Sequence, residues 1–414
     1  MMNKVAVVGG GAAGMMAAIC AARKGAAVTL LEPNERLGKK LNITGKGRCN
    51  VTNDSERDEL IAHVPRNGRF LYSAFSRWDG RDTMAFFESL GVPLKVERGR
   101  RVYPVSDRSF DVSGALEREL RRLRVEIVRE RAAALIVKDG CVRGVKGEQT
   151  SYLADAVIVA TGGVSYPATG STGDGYRFAK QVGHTILPPH GSLVPLTSDD
   201  PDCPAMQGLS LHNVTLTVRN RKNKVIFEEL GELLFTHFGV SGPLVLSASA
   251  HMRDFEKDSY RLCIDLKPAL DEKKLDDRLL RDFAERSNQQ FDHVLGALVP
   301  HSMIPVMVRR TGIAAETKAH SITKEQRRTL LETLKRFEIA VTGTREVKEA
   351  IITSGGIKVS EVDPNTMASK LTTGLYFAGE VLDVDAYTGG YNLQIAWATG
   401  KAAGEAAAEQ GIEG

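Results

Sequence analysis

The 414-residue sequence predicts an α/β fold in which one parallel-sheet domain is interrupted by a long insertion. Three observations lead there. The chain opens on a strand-like apolar run, a glycine cluster, a helix-like run and a second strand-like run. A similar texture returns from about Ile351 onward. Between these stretches the hydrophobic pattern changes period, first to alternation and then to charged helical segments.

In chain order, Lys4–Val8 reads as a buried strand, Gly11–Lys24 as a helix and Ala27–Leu31 as the next strand. Both strands are apolar enough for a parallel sheet covered on both faces. Asn34–Asn53 is rich in Gly, Lys and Asn and reads as a loop with a function. Arg57–Leu90 and Val112–Leu123 read as helical, Val125–Val128 and Leu135–Val137 as strands, and Ala156–Val159 as a short buried strand. From His190 to about Leu266, alternating runs such as Val214–Val218 and Arg261–Leu266 predict an antiparallel sheet or small barrel. Pro268–Lys335 is charged and helix-rich, with helices at Lys273–Arg286 and Lys324–Arg336. Phe337–Val341 returns to strand character, and Leu375–Ala378 and Leu393–Gln410 read as a last buried strand and a terminal helix. The boundaries that follow are 1–189 with 346–414 for the interrupted domain, 190–267 with 337–345 for the sheet, and 268–336 for the helices.

Composition bounds the answer without deciding it. The chain carries 55 Lys+Arg against 51 Asp+Glu, a formal charge of +4, with 42% hydrophobic and 26% charged residues. These values exclude a disordered chain, a fibrous one and a disulfide scaffold. Cys20, Cys49, Cys141, Cys203 and Cys263 are scattered and form no Cys-x-x-Cys, so no metal site is expected and a reducing cytoplasm is. Val5–Ala22 is uncharged and largely apolar, but its glycines cluster at 9, 10, 11 and 14 and a second strand follows at once. A signal peptide or membrane partner is therefore not expected. Forty glycines are many for this length, and glycine marks tight turns or close approach to a ligand.

The most informative cluster is Gly9-Gly10-Gly11-Ala12-Ala13-Gly14, a G-x-G-x-x-G between a strand and a helix. Gly9 permits the turn, Gly11 lets backbone approach a pyrophosphate, and Gly14 lets helix and strand pack. The helix N-terminus offers free N–H groups to phosphate. Glu32 ends the second strand, where a carboxylate accepts hydrogen bonds from ribose hydroxyls and repels a 2′-phosphate. A dinucleotide is expected, and this cluster alone does not separate NAD from FAD.

Two further segments do. Asp155–Gly163, ending Ala-Thr-Gly-Gly, and Gly374-Leu375-Tyr376-Phe377-Ala378-Gly379-Glu380 resemble the corresponding segments of two-dinucleotide-fold flavoproteins. Gly38-Lys39-Lys40, Thr44–Asn53, Leu234–Pro243 and Thr388–Gln394 narrow the resemblance to the YhiN/BaiN-like, or aminoacetone-oxidase-like, flavoproteins over nearly the whole chain. The resemblance implies a discontinuous Rossmann-type FAD-binding domain with an inserted antiparallel β-barrel domain and a small helical domain. It assigns Glu380 to the ribityl or pyrophosphate part of FAD and places Thr161, Gly162 and Gly379 beside it. Gly45 and Gly47 let the loop approach a ligand, and Lys39, Lys40, Lys46 and Arg48 add positive charge, with Cys49 and Asn50 in the same loop. Gly390 leads into the last helix, whose start at Asn392 and Leu393 would favour the negative charge of reduced flavin. Asp174, in Thr-Gly-Asp-Gly, is expected as a wall near the flavin.

Candidate proton donors or substrate-orienting groups are His237, Cys49 and Tyr391. Each also reads as a packing residue. No second G-x-G-x-x-G follows a strand, so a dedicated nicotinamide domain is not expected; a small-molecule donor, NAD(P)H at a transient site or the substrate itself, would reduce the flavin. Arg309–Arg336 holds eight basic residues and three acids, an excess that suits either a polyanion such as RNA or a solvated face. Family members are associated with dihydrouridine in large-subunit ribosomal RNA, and others with small amines or bile-acid derivatives. The expected function is an FAD-dependent oxidoreductase delivering hydride from flavin N5, with uridine in ribosomal RNA as the most concrete substrate. The alternatives are an oxidase of a small amine and a non-catalytic flavin-containing RNA-binding protein.

Overall fold

The computed structural model describes residues 2–252, 255 and 258–410. The chain divides into two compact units, 1–192 with 346–414 and 193–345.

The first unit is built on a five-stranded parallel sheet. Its members are β1 (Lys4–Val8), β2 (Ala27–Leu31), β3 (Glu126–Val128), β4 (Ala156–Val159) and β5 (Leu375–Phe377), in the spatial order β5-β4-β1-β2-β3. Every pairing is parallel, with Val5 opposite Ala156 on one side and Val28 on the other. This is the 3-2-1-4-5 order of a doubly wound nucleotide fold, with its topological switch between β1 and β4. The four residues of β4 are fully buried, as a central strand between covered faces requires.

Helix α1 (Ala12–Arg23) and the last helix, α2 (Tyr391–Glu409), pack against each other. Small residues make this possible: a Cβ on Gly400 would lie 2.5 Å from the Ala13 carbonyl oxygen, and one on Gly404 2.3 Å from that of Ala17. The stretch 57–90, expected as helix, is broken into Arg57–Ala62, Tyr72–Arg77 and Gly80–Ser89. Pro65 and Gly68 interrupt the first break, and Asp79 caps the last piece in a reciprocal capping box with Asp82.

The second unit holds a seven-stranded antiparallel sheet. Its order is Phe337–Val341, Tyr260–Asp265, Ser210–Asn220, Val225–Thr236, Gly239–Ser241, Leu196–Thr197 and Gly343–Thr344. Helices Glu272–Glu285, Ile304–Thr311 and Lys324–Lys335 belong to the same unit. The long strand Val225–Thr236 is not evident in the sequence, because Glu228, Glu229 and Gly231 interrupt its apolar run. Among the described residues no helix is long and apolar enough to cross a membrane.

Candidate functional site

The turn after β1 is shaped by its glycines. Gly9 has φ +106°, and a Cβ there would meet the Ala160 carbonyl oxygen at 2.5 Å. A Cβ on Gly14 would meet the Gly9 carbonyl oxygen at 1.8 Å, so helix and turn are in contact. A Cβ on Gly11 would meet nothing within 4 Å. That open position is where a ligand backbone can approach. Glu32 is buried, and its Oε2 accepts from the Gly10 amide at 2.8 Å. Its Oε1 accepts from the Asn34 amide at 2.9 Å and from Asn34 Nδ2 at 2.7 Å. The carboxylate is therefore oriented before any ribose reaches it.

These groups border a cleft of about 1220 Å³, open mouth included, beyond the carboxyl ends of the parallel strands. Gly9, Gly11, Ala12 and Ala13 form one wall, with Glu32 beyond them. Thr161, Gly162 and Asp174 form a second wall after β4. Glu380 follows β5, and Asn392 and Leu393 begin α2. From the basic loop, Lys39 and Lys40 reach the cleft.

Lys40 Nζ donates to both oxygens of Glu380, at 2.9 and 2.7 Å, and to Ser165 Oγ at 2.7 Å. Glu380 Oε1 also accepts from Ser165 Oγ at 3.0 Å and the Thr353 amide at 2.9 Å. A cation and an acid that the sequence assigns separately thus form one locked pair on the cleft wall. Asp174 takes Arg131 Nε at 2.9 Å and Arg177. Asn392 clips residue 386: its Oδ1 accepts from the Ala386 amide and its Nδ2 donates to the Ala386 carbonyl.

The residues fit an FAD. The open face of Gly11 and the oriented acid of Glu32 suit the pyrophosphate and ribose. Thr161 Oγ1, on the cleft wall, is buried and has no hydrogen-bond partner among the described residues, which asks for polar ligand atoms or water.

Several expected contacts lie elsewhere. Arg48 turns away from the cleft. Its guanidinium pairs with Glu97 and Asp107 and stacks 4.1 Å over the Tyr103 ring. Cys49 is fully buried away from the cleft lining, and burial pushes its thiol up to about 12. Neither is placed to serve the cleft, because acids and core packing from residues 97–107 and 44–51 claim them first. Gly38, Gly45, Gly47, Gly379 and Gly390 also lie outside the lining and shape the backbone, and Asn50, whose Oδ1 has no hydrogen-bond partner among the described residues, lies outside it too. Gly38 N donates to the Gly10 carbonyl at 2.8 Å, and Gly390 lies where a Cβ would meet the Thr52 carbonyl oxygen at 2.2 Å. Gly45 and Gly47 turn the loop at positive φ, and Gly379 N donates to Thr399 Oγ1. Tyr391 is buried in a ring stack on His63, and is absent from the cleft lining. His237 belongs to the second unit, where it forms a tight turn with Phe238 between Val225–Thr236 and Gly239–Ser241. Arg131 and Ser165 escaped the sequence because their partners, Asp174 and Glu380, are distant in the chain, and Asn34 because no motif marks its bond to Glu32 two residues away.

Residues 3–406 match the family described as the HI0933-like protein Rossmann domain. The chain belongs to this family. It is accordingly an enzyme of the FAD-dependent oxidoreductase class. It is 33% identical over 99% of its length, and the whole length of the relative, to a 3-dehydro-bile acid delta(4,6)-reductase of Clostridium scindens. It is 30% identical over 95% of both chains to a ribosomal RNA dihydrouridine synthase of Haemophilus influenzae. Among solved structures, the 3-ketosteroid-delta4-(5alpha)-dehydrogenase of Rhodococcus jostii shares the fold, with a TM-score of 0.52 at 15% identity, covering 98% of this chain and 97% of that one.

Proposed function

We propose that this enzyme reduces a carbon–carbon double bond conjugated to a carbonyl group. The observation that carries the reading is the cleft at the β1/β4 switch, with Gly11 open, Glu32 oriented and Lys40 locked to Glu380. The two relatives named above support the reaction class. One is named for a delta(4,6) double bond in a 3-dehydro ring, the other for making dihydrouridine, and both substrates carry a C=C polarised by a carbonyl.

FAD, when bound, supplies the two-electron step. Glu32 would hold the adenosine ribose, the Gly9–Gly14 turn the pyrophosphate, and Glu380 with Thr161 the remaining polar chain. Lys40 keeps the Glu380 carboxylate neutralised so that it can stand beside a diphosphate. NADH or NADPH is the proposed donor to the flavin.

A second reading is uridine of ribosomal RNA as the substrate, favoured by the dihydrouridine synthase relative. The cation excess at 309–336 lends it little, because most of those side chains face acids of their own unit. For the inserted unit we further propose a barrel-like closure. What supports it is that the two outer strands of the sheet, Phe337–Val341 and Gly343–Thr344, are joined by Thr342 alone.

The test is anaerobic. The purified protein should be yellow, bleach with NADH or NADPH, and recover its colour on adding a steroid 4-en-3-one or ribosomal RNA lacking dihydrouridine. A protein that cannot be loaded with FAD, or whose reduced form neither acceptor reoxidises, refutes the proposal. Dihydrouridine formed in the RNA would select the second reading.

A further inference from the structure

We infer that residues 166–173 are a strap across the dinucleotide crevice, clasped by Asn34, which gates the exchange of FAD and closes its seat to a second dinucleotide. The inference rests on the seat for FAD proposed above.

Strand order sets the geometry. Strands β4, β1 and β2 lie side by side, with β1 in the middle. Neighbouring strands are about 4.8 Å apart, so the chains leaving β2 and β4 start about 10 Å from each other. The glycine turn after β1 lies between them. Yet Asn34, which follows β2, donates from Nδ2 to the carbonyl oxygen of Thr169, which follows β4, at 3.2 Å. A direct bond between these residues passes over the carboxyl end of β1, where a doubly wound fold holds its dinucleotide. Asn34, Thr169, Gly170 and Ser171 border the same cleft as Gly9 and Gly11. A second tie comes from farther away. Arg131 follows β3, on the far side of β2, and its Nη2 donates to Thr172 Oγ1 at 3.1 Å while Nε holds Asp174 at 2.9 Å.

The strap is built as a unit with a bend at each end. Thr169 N donates to the Tyr166 carbonyl at 2.8 Å and Gly170 N to that of Pro167 at 3.0 Å. Tyr166 at φ +51° and Gly173 at φ +81° turn the chain where the strap begins and ends. Its base is fixed, because Ser165 N donates to Thr353 Oγ1 at 3.1 Å and Ser165 Oγ to Glu380 at 3.0 Å. The clasp is fixed as well. Asn34 N and Nδ2 donate to Glu32 Oε1, and Arg129 Nη1 donates to the Asn34 carbonyl at 2.9 Å. At the apex the fit is close enough that a Cβ on Gly170 would lie 2.7 Å from Asn34 Nδ2.

A rigid frame is thus closed by a neutral amide hydrogen bond, which is worth about tenfold in an opening equilibrium. A group that only touches a bound ligand slows its departure, whereas a gate slows arrival and departure together. NADH and NADPH carry the same adenosine diphosphate as FAD. The closed strap keeps that seat for FAD, so a nicotinamide donor reaches the flavin from outside this crevice.

The test follows FAD uptake by apoprotein and FAD release from diluted holoprotein, both by flavin fluorescence. Asn34→Ala and Gly170→Ala should each release FAD about 10-fold faster and take it up faster by a similar factor, leaving Kd within about threefold of wild type. Gly170→Ala leaves the bonds from Asn34 N and Gly10 N to Glu32 in place, so it separates the clasp from the orientation of that acid. Arg131→Met, which frees Thr172 and Asp174, should raise both rates in the same way. Excess NAD+ should displace no FAD from wild-type holoprotein. Wild-type exchange rates in Asn34→Ala and Gly170→Ala overturn the strap, and so does faster release with uptake unchanged. Displacement of FAD by NAD+ overturns it whether or not the variants fold. A wild-type apoprotein that takes up no FAD refutes the proposed function instead.

Discussion

The loop Lys39–Arg48 and the segment Arg309–Arg336 are both rich in cations, and they dispose of that charge differently. In the loop, Lys39 and Lys40 face the cleft, and Lys40 shares its charge with Glu380 on the cleft wall. In the segment, Arg309 and Arg310 close on Asp202, and Arg310 also takes Asp200 at 2.9 Å. Arg327 pairs with Asp276, Lys335 with Asp265, Arg336 with Glu272 and Arg328 with Glu332. Most of these acids lie outside the segment, so a local excess of five cations is no measure of its surface charge. Position relative to the cleft, and not the count of cations in a stretch of sequence, decides which of these charges can meet a ligand.

Breaking a buried partner in the second unit should cost most. Arg310→Ala removes the better-covered cation from Asp202, whose side chain is only 4% exposed. A loss of about 3 kcal/mol in denaturant unfolding is expected. Lys40→Met tests the cleft side of the comparison. It strips the counter-charge from Glu380 beside the diphosphate position, and FAD should bind about 10- to 100-fold more weakly, near 2 kcal/mol, by fluorescence titration. Equal FAD affinity in wild type and variant would remove Lys40 from the site.

A third pair sharpens the comparison with pH. Hydrogen bonds from Arg122 and then Arg23 hold the Glu119 carboxyl down at about 2. A depressed acid stabilises the fold above its ordinary range near 4.5, and that stabilisation is lost as pH falls toward about 2. Glu119→Gln should therefore cost about 1–2 kcal/mol at pH 7, given the exposed arginines, and the gap from wild type should close in acid. The smallest effect belongs to Arg328→Ala. Its side chain is 81% exposed, and thermal melts should shift by less than about 0.5 kcal/mol.

Much of the first unit was legible because its signals are local. Lys4–Val8, Ala27–Leu31 and Ala156–Val159 match the structure residue for residue, since short, mostly apolar runs bounded by turn residues leave few alternatives. The glycine turn, Glu32, Lys40 and Glu380 all border the cleft as the motifs imply. What was not legible depends on distant partners. Arg48 is claimed by Glu97, on a hairpin of Leu94–Glu97 with Arg101–Pro104 that no periodicity announces, and by Asp107 just beyond it. The orientation of His63 rests on Tyr387 and Tyr391, more than 300 residues away in the chain.

The position of β5 has a consequence for biosynthesis. Its partner β4 leaves the ribosome roughly 200 residues earlier, which at about 5–20 residues per second is a wait of about 10–40 seconds. During that interval an apolar strand edge stands unpaired while the whole insertion is being made. The nascent chain needs that edge shielded, and slowing translation across 193–345 should raise the yield of aggregate before it affects the finished enzyme.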